Sequence, residues 1–368
     1  MKNMQPWIGN KWIDICFILL PPFFSLLVIF LFPQIFHNDA GMPGYWWVAL
    51  ILLIDVAHVY STLYRTYFDK TIFVQQRNRL IIIPFLSFVI GVLLYTGSPR
   101  IFWSVLAYLA VFHFIRQQYG FMRIYARTEN SNLLSRRIDM ITIYTATIYP
   151  ILYWHVAGDR VFNWFVEGDF IKIKVPDQLF LLTKILYLLV LVIYLIKEVI
   201  LIGRKGNINI PRNAVVAGTV ASWYFGIVYF NGDMAFTLLN VVSHGVPYMA
   251  LVWIFGKRNA LKNEQAGRFI KAVFSKYGLV IFLGLIFLLA YIEEGLWDTT
   301  LWKEHTSIFS IFHISDIKPD DGLLSIIVPL LALPQVTHYI IDGFIWRIKK
   351  EPNEYIQDEE LSNITARL

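Results

Sequence analysis

Four of the eight histidines lie inside long apolar runs of the sequence, at His58, His113, His244 and His338. Each has a polar side chain three or four residues away, a spacing that places both side chains on one face of a helix. These polar neighbours are Asp55, Gln117, Asn240 and Asp342. The spacing predicts four imidazoles, each with a hydrogen-bonding partner one helical turn away.

Imidazole nitrogen together with carboxylate oxygen is the ligand set of non-haem iron, and zinc accepts it too. Cys16 is the single cysteine, so a thiolate metal site and a disulfide framework are both excluded within these residues. We therefore predict a metal site formed by His58, His113, His244, His338, Asp55 and Asp342. The two aspartates are also the candidate catalytic groups, either as ligands or as partners that fix a ring tautomer. Any single histidine could instead bridge two helices by a hydrogen bond.

The elements that carry these residues are predicted to be membrane-spanning helices. Hydrophobic residues make up 57% of the 368 residues and charged residues only 16%, against about 25% in soluble domains. A spanning helix needs about 20 mostly apolar residues. We expect ten spans, at 13–36, 46–64, 79–97, 101–122, 138–157, 178–203, 213–230, 234–256, 277–293 and 323–347. Pro21, Pro22 and Pro33 should kink or break the first of them.

The distribution of basic residues predicts the orientation of this all-α polytopic bundle. Of the 32 Lys and Arg residues, 25 lie in or beside the two termini and the connections after the second, fourth, sixth and eighth spans. Positive-inside bias places these parts in the cytoplasm, with both termini inside, and we expect the bacterial inner (plasma) membrane. Topology explains the basic charge, so no nucleic-acid partner is needed. We predict a membrane domain at 1–348 and a flexible cytoplasmic tail at 349–368.

The four histidines fall at a similar predicted depth. Each precedes basic residues at the cytoplasmic end of its span by seven to thirteen positions, which corresponds to depths of about 10–20 Å. A buried site in this layer is reached most easily by a hydrophobic substrate from the lipid. The long outer connections, 158–177 and 294–322, could hold short helices in the interface.

The leading hypothesis is an iron-dependent oxidase, oxygenase or desaturase acting on a lipid or isoprenoid-type molecule, because dioxygen and apolar substrates both concentrate in hydrocarbon. Electrons would come from a cytoplasmic donor. Three alternatives stay open: a haem b electron carrier with axial histidines, a proton-coupled transporter with an Asp and His relay, and a metal-free lipid transferase with a histidine base. Zinc is the other metal considered.

Each of these stretches contains a single histidine, as in Asp55-Val56-Ala57-His58 and His338-Tyr339-Ile340-Ile341-Asp342. In kind the chain resembles the histidine-rich membrane oxygenases and desaturases, but their motifs pair two or three histidines, so their eight-histidine di-iron site is not present. One histidine per helix is closer in style to the bacteriorhodopsin-related carotenoid-cleaving dioxygenases of bacteria. That resemblance concerns the style of the site and not the chain, and it implies metal-dependent oxygenation.

Overall fold

The structure, a computed structural model, describes residues 5–36, 42–158, 160–262, 267–312 and 319–346. Every regular element within these ranges is a helix. The α-helices are α1 Lys11–Asp14, α2 Pro21–Leu31, α3 Pro33–Phe36, α4 Gly44–Trp47, α5 Ala57–Arg65, α6 Lys70–Gly97, α7 Pro99–Tyr125, α8 Leu133–Val156, α9 Asp177–Lys205, α10 Ile210–Trp223, α11 Asp233–Lys262, α12 Arg268–Val273, α13 Leu279–Trp297, α14 Asp321–Leu331 and α15 Leu333–Ile345. The predicted tail, 349–368, lies outside the described residues.

Four π-helical segments continue or precede these helices, at Ile15–Leu19, Val48–Val56, Tyr224–Tyr229 and Asp298–Trp302. The segment Val48–Val56 runs directly into α5, which carries His58. A π-helical turn widens the backbone and rotates the residues that follow, and such turns are frequent at functional sites. The regular α-helix expected over 46–64 is therefore interrupted just before the predicted site.

Six helical stretches in the described ranges are long and apolar enough to cross a membrane: Gly44–Arg65, Lys70–Gly97, Asp177–Arg204, Asp233–Leu261, Leu279–Trp302 and Asp321–Ile345. Lys11–Leu19 and Pro21–Leu31 add a seventh if this pair, bent by 52°, forms one broken span. The predicted segments 101–122, 138–157 and 213–230 are also helical, but they are shorter or less apolar. The chain thus has the character of a multi-pass membrane protein, while the count of ten spans stays a prediction.

The proline-rich first segment breaks where the sequence predicts. The bend falls at Leu20, just before Pro21 and Pro22, and the helix breaks again at Phe32, just before Pro33. Proline lacks the N–H that would continue a helix and its ring clashes with the preceding turn, so the chain starts a new helix at each of these positions. The predicted kinks are confirmed.

Burial separates the central helix from the peripheral ones. In an apolar stretch of 18 residues within Asp233–Leu261, 72% of the residues are buried, against 17% in Lys70–Gly97 and 11% in Asp177–Arg204. The central helix α11 comes very close to the π-helical segment before α5. A Cβ on Gly245 would lie 2.8 Å from the Ile54 side chain, so only glycine permits this approach. The contact brings His244 beside His58.

The connection at 160–176, which is predicted to lie on the outer side, contains no helix, so the expectation of a short interfacial helix there is wrong. Asp169 accepts hydrogen bonds from the backbone N–H groups of Trp164, Phe165 and Val166, at 3.0, 2.7 and 3.3 Å. These bonds fold the connection into a turn, because a carboxylate that binds three successive amides competes with helical pairing. In the described part of 294–322, α13 and its π-helical extension continue to Trp302 and turns follow.

Candidate metal centre

Four helices bring the predicted histidines to one point in the interior. His58 lies on α5, His113 on α7, His244 on α11 and His338 on α15, and their side chains are between 0 and 2% exposed. Each ring offers a nitrogen, and these four nitrogens all lie within 4.8 Å of one another. Four buried histidines this close together could hold a metal ion. The prediction that the four imidazoles converge is confirmed.

The rings meet one another edge to face. Their centroids are 4.7 Å apart for His58 and His244 and 4.5 Å apart for His113 and His338, with interplanar angles of 89° and 65°. The two other close pairs, His58 with His338 and His113 with His244, are both separated by 5.0 Å. Crossed planes let the nitrogens point inward from different directions. Ligands around a single ion need such an arrangement.

Backbone contacts determine the tautomer of His58. Its Nδ1 lies 3.2 Å from the carbonyl oxygen of Ile54, one turn earlier in the same helix. A carbonyl oxygen only accepts, so Nδ1 must carry the proton and Nε2 presents a bare lone pair. That Nε2 lies 3.1 Å from Nε2 of His244. The nitrogen that faces the cluster is therefore the one able to bind a metal.

His113 and His338 also have an oxygen behind Nδ1. Nδ1 of His113 lies 3.5 Å from Oδ2 of Asp342, and Nδ1 of His338 lies 2.7 Å from the hydroxyl of Thr62. The Nε2 atoms of these two histidines are buried and have no hydrogen-bond partner among the described residues. Metal-bound histidines almost always donate their second N–H to an oxygen in this way. Leaving two ring nitrogens buried and unpaired is costly, and a bound cation would remove that cost.

His244 is held differently from the other three. Its ring stacks on Phe114 with centroids 3.5 Å apart and planes 10° apart. Its Nδ1 is buried without a hydrogen-bond partner in the described parts of the chain. Stacking fixes the plane of the ring, and its Nε2 contacts Nε2 of His58 at 3.1 Å. His244 thus differs from the other three in having no oxygen at Nδ1 among the described residues.

The carboxylate and amide partners do not pair as the spacing predicts. Asp342 contacts His113 on a neighbouring helix, whereas His338 on its own helix pairs with Thr62. Gln117 donates to the carbonyl of His244 at 2.9 Å, and Asn240 donates to the carbonyl of Phe236 at 2.9 Å. Asp342 and Gln117 find their partners across a helix interface, whereas Asn240 bonds to the backbone of its own helix. The expectation of a partner on the same helix is wrong for these three.

Asp55 lies at the edge of the cluster. Its nearest oxygen is 3.9 Å from Nδ1 of His58, and its side chain is 36% exposed. This exposure opens onto a cavity of about 600 Å³, which is lined also by Phe114, Asn240 and Tyr339. The ring of Tyr339 lies 5.1 Å from that of His113. The cavity therefore begins beside the four histidines, and it reaches the connection 161–167 and His305.

Sequence reasoning missed two hydroxyl groups that support the histidines. Thr62 contacts Tyr248 at 2.9 Å as well as His338 at 2.7 Å, so two hydroxyl groups and one imidazole form a hydrogen-bonded chain across three helices. Both residues follow a site histidine by four positions, Thr62 after His58 and Tyr248 after His244. The same helical spacing that singled out the aspartates could have found them.

A buried acidic pair, Glu293-Glu294, was also missed. Glu293 accepts hydrogen bonds from Tyr60 at 2.6 Å, from Trp297 at 3.3 Å and from Gln335 at 3.4 Å. Two adjacent acids at the end of an apolar run were a visible signal. Because a carboxylate inside a membrane span is costly, such a pair was a candidate for the functional site.

Comparisons with known proteins leave the family of the chain open. No known protein family matches it, and no solved structure does. A curated relative is the thiol:disulfide interchange protein DsbD of Haemophilus influenzae (strain PittGG), 24% identical over 135 residues, which are 37% of this chain and 22% of that protein. The chain thus matches about a fifth of that relative's length. It carries only Cys16, whereas a disulfide within one chain needs two thiols.

Replacing Thr62 by valine should weaken metal binding without unfolding the protein. Valine keeps the branched shape but removes the hydroxyl that holds His338, and loss of such an outer partner typically lowers metal affinity about 10–100-fold. Competition with a chelator, followed by metal analysis, measures the change. Thr66→Val is the matched control, because the buried Thr66 hydroxyl bonds to the carbonyl of Thr62 instead. Equal affinities in the two variants would contradict a supporting role for Thr62.

Proposed function

We propose that this chain is a membrane-embedded, metal-dependent oxidase, oxygenase or desaturase with iron as its metal. His58, His113, His244 and His338 would hold the ion, and the substrate would be a lipid or an isoprenoid-type hydrophobic molecule. The observation that carries the proposal is the meeting of four buried imidazoles whose nitrogens lie within 4.8 Å of one another. The oxygen atoms behind three of the Nδ1 atoms support it, because they leave Nε2 to bind the ion.

The choice of iron rests on the donor set and its surroundings. Imidazole suits iron, zinc and copper, while the absence of a thiolate among the four donors disfavours copper(I). A cavity of about 600 Å³ beside the donors has the size of a small-molecule binding site. Bound iron would supply activation of dioxygen. Zinc remains the alternative for the same ligands.

Asp55 and Asp342 would have different roles. Asp342 lies behind His113 and would orient that ring and increase its basicity as a ligand. Asp55 lines the cavity, so it would face the substrate and accept or return a proton there. Direct metal ligation by either aspartate is the other possibility for their role.

The proposed setting is the one that the sequence predicts. The chain would have ten spans with both termini in the cytoplasm of a bacterium, in contact with membrane lipids, and a cytoplasmic donor would deliver electrons. Helices α7, α8 and α10 would then be three of the spans beyond the six apolar stretches, and each packs against other helices of the bundle. The cavity would then open toward the outer side, because 161–167 belongs to a predicted outer connection.

A haem b centre fits these four rings less well. A haem with two axial histidines needs space for the whole porphyrin plane between the two imidazole rings. Here each ring meets two others edge to face at 4.5–5.0 Å, and no such space separates them. The site thus has room for a single ion at its centre.

Elemental analysis of the purified protein, combined with an optical spectrum, tests the proposal. We expect about one iron per chain and no Soret absorption, because the four imidazoles form one site. Protein expressed in iron-supplemented medium and purified without chelators is the sample, and a mock purification from cells that lack the gene is the blank. A Soret band, stoichiometric zinc, or full activity after complete removal of the metal would contradict the proposal.

A further inference from the structure

The cavity beside the four histidines has a strongly acidic wall. Six of its lining residues are carboxylic acids: Asp55, Glu167, Asp233, Glu294, Asp298 and Glu304. Lysine and arginine do not occur among the described residues that line it. The chain as a whole carries a net charge of +6, so the cavity has the opposite sign to the protein around it. An anionic ligand would be repelled from this space.

Glu294, one of these six acids, has no counter-charge among the described residues. This side chain is only 7% exposed and lines the cavity. The ionisable groups that act on it are the acids Glu293, Asp55 and Asp298. No residue in the described ranges donates a hydrogen bond to its carboxylate or pairs with it. A buried carboxylate in such surroundings is stable only with a proton or with a cation from outside the chain.

Three tryptophans belong to the same lining, and one of them, Trp297, follows Glu294 by three positions on α13. Trp297 and Trp302 stack with centroids 5.9 Å apart, and Trp103 lies 5.6 Å from Trp302 and 5.9 Å from Trp297. All three line the cavity. Indole faces attract cations, and ammonium groups are commonly held by such aromatic clusters. A cavity lined by both carboxylates and indole rings is suited to an organic cation.

We propose that the cavity binds an organic cation, namely an ammonium group, protonated or quaternary, on an apolar body. This inference rests on the proposed function and names the charge class of its substrate. The ammonium group would lie between Glu294 and the three tryptophans. The apolar body would then extend along the rings toward Phe114 and the four histidines. A substrate with a phosphate or carboxylate group would not enter.

Calorimetric titration of the purified protein in dodecyl maltoside tests this inference with three ligands of equal chain length. The probes are hexyltrimethylammonium, hexan-1-ol and hexanoate, and the metal content of the same sample is measured in parallel. We expect the ammonium to bind at least about tenfold more tightly than the alcohol, because charge attraction and cation–π contacts add to apolar burial. Hexanoate should bind more weakly than the alcohol.

Two variants and one control locate the binding. Glu294→Gln should lower the ammonium affinity about tenfold and leave the alcohol affinity unchanged, and Asp55→Asn should act in the same direction, which keeps the test valid if Glu294→Gln folds poorly. Asp177→Asn, at an exposed residue that begins α9, should change neither affinity.

Equal binding of ammonium and alcohol would overturn the inference, because Glu294 would then be protonated. Displacement of the ammonium by low concentrations of Mg²⁺ or Ca²⁺ would overturn it in favour of an inorganic cation. An iron-bearing protein with no ammonium preference contradicts this inference alone. A metal-free protein that prefers ammonium contradicts the proposed function alone.

Discussion

Replacement of His58 by alanine is expected to remove nearly all bound metal from the purified protein. His58 contributes the Nε2 that lies 3.1 Å from His244, and its Nδ1 is fixed by the Ile54 carbonyl. Loss of this ring removes one of four donors and leaves His244 without its closest partner. Metal sites depend on the full ligand count, so affinity should fall by several orders of magnitude. Metal analysis after gel filtration measures the loss.

His338→Ala should give the same result, because the ring of His338 lies 5.0 Å from that of His58 in the same cluster. His155→Ala is the matched control. His155 is also a buried helical histidine, but its nitrogens are satisfied by the Tyr108 hydroxyl at 2.7 Å and the Ile151 carbonyl at 2.6 Å. This control should retain the full metal content. Full metal in His58→Ala and His338→Ala would show that the ion binds elsewhere.

Arg212→Met is expected to destabilise the protein by about 3–5 kcal/mol, the cost of leaving buried charges without their partner. Arg212 on α10 is 1% exposed and contacts three carboxylates, those of Glu129, Asp139 and Glu198. Lys197 is the second cation of this network and contacts Asp139 and Glu198. Removal of Arg212 leaves Asp139 and Glu198 with Lys197 alone and removes the cation that Glu129 contacts. Thermal or denaturant unfolding in detergent measures the change.

Two further variants separate the charge network from general effects of losing an arginine. Arg212→Lys should recover part of the stability, because it keeps the charge but lacks the guanidinium fork that reaches several carboxylates. Arg137→Met removes an exposed arginine of the neighbouring helix α8 and should change stability by less than about 0.5 kcal/mol. If Arg212→Met were as stable as Arg137→Met, the network would contribute nothing.

The burial of Arg212 and Lys197 marks a limit of the sequence interpretation. Both were counted with the basic residues at the cytoplasmic ends of the spans, as markers of orientation. The structure buries them between α8, α9 and α10, where they pair with acids. Hydropathy places a charge near the end of an apolar run. It does not distinguish a solvated end from a buried ion network.

The meeting of the histidines was predictable because depth follows from counting residues. A helix rises 1.5 Å per residue, so His58, His113, His244 and His338 had to fall at similar heights if their helices run in the same direction. Their partners were less predictable. The rotation of each helix about its axis depends on packing against all its neighbours, and Asp342 meets His113 for that reason.

By itself the sequence determined the helical class of the protein, the proline breaks in the first segment and the residue types available to bind a metal. These features depend on local composition and on the fixed geometry of a helix. Only the tertiary structure decided that Thr62 contacts His338, that Asp55 lines a cavity and that Glu294 lies there without a counter-charge from the part of the chain that the structure describes. These relations join residues far apart in the chain, and only the packing of helices brings such residues together.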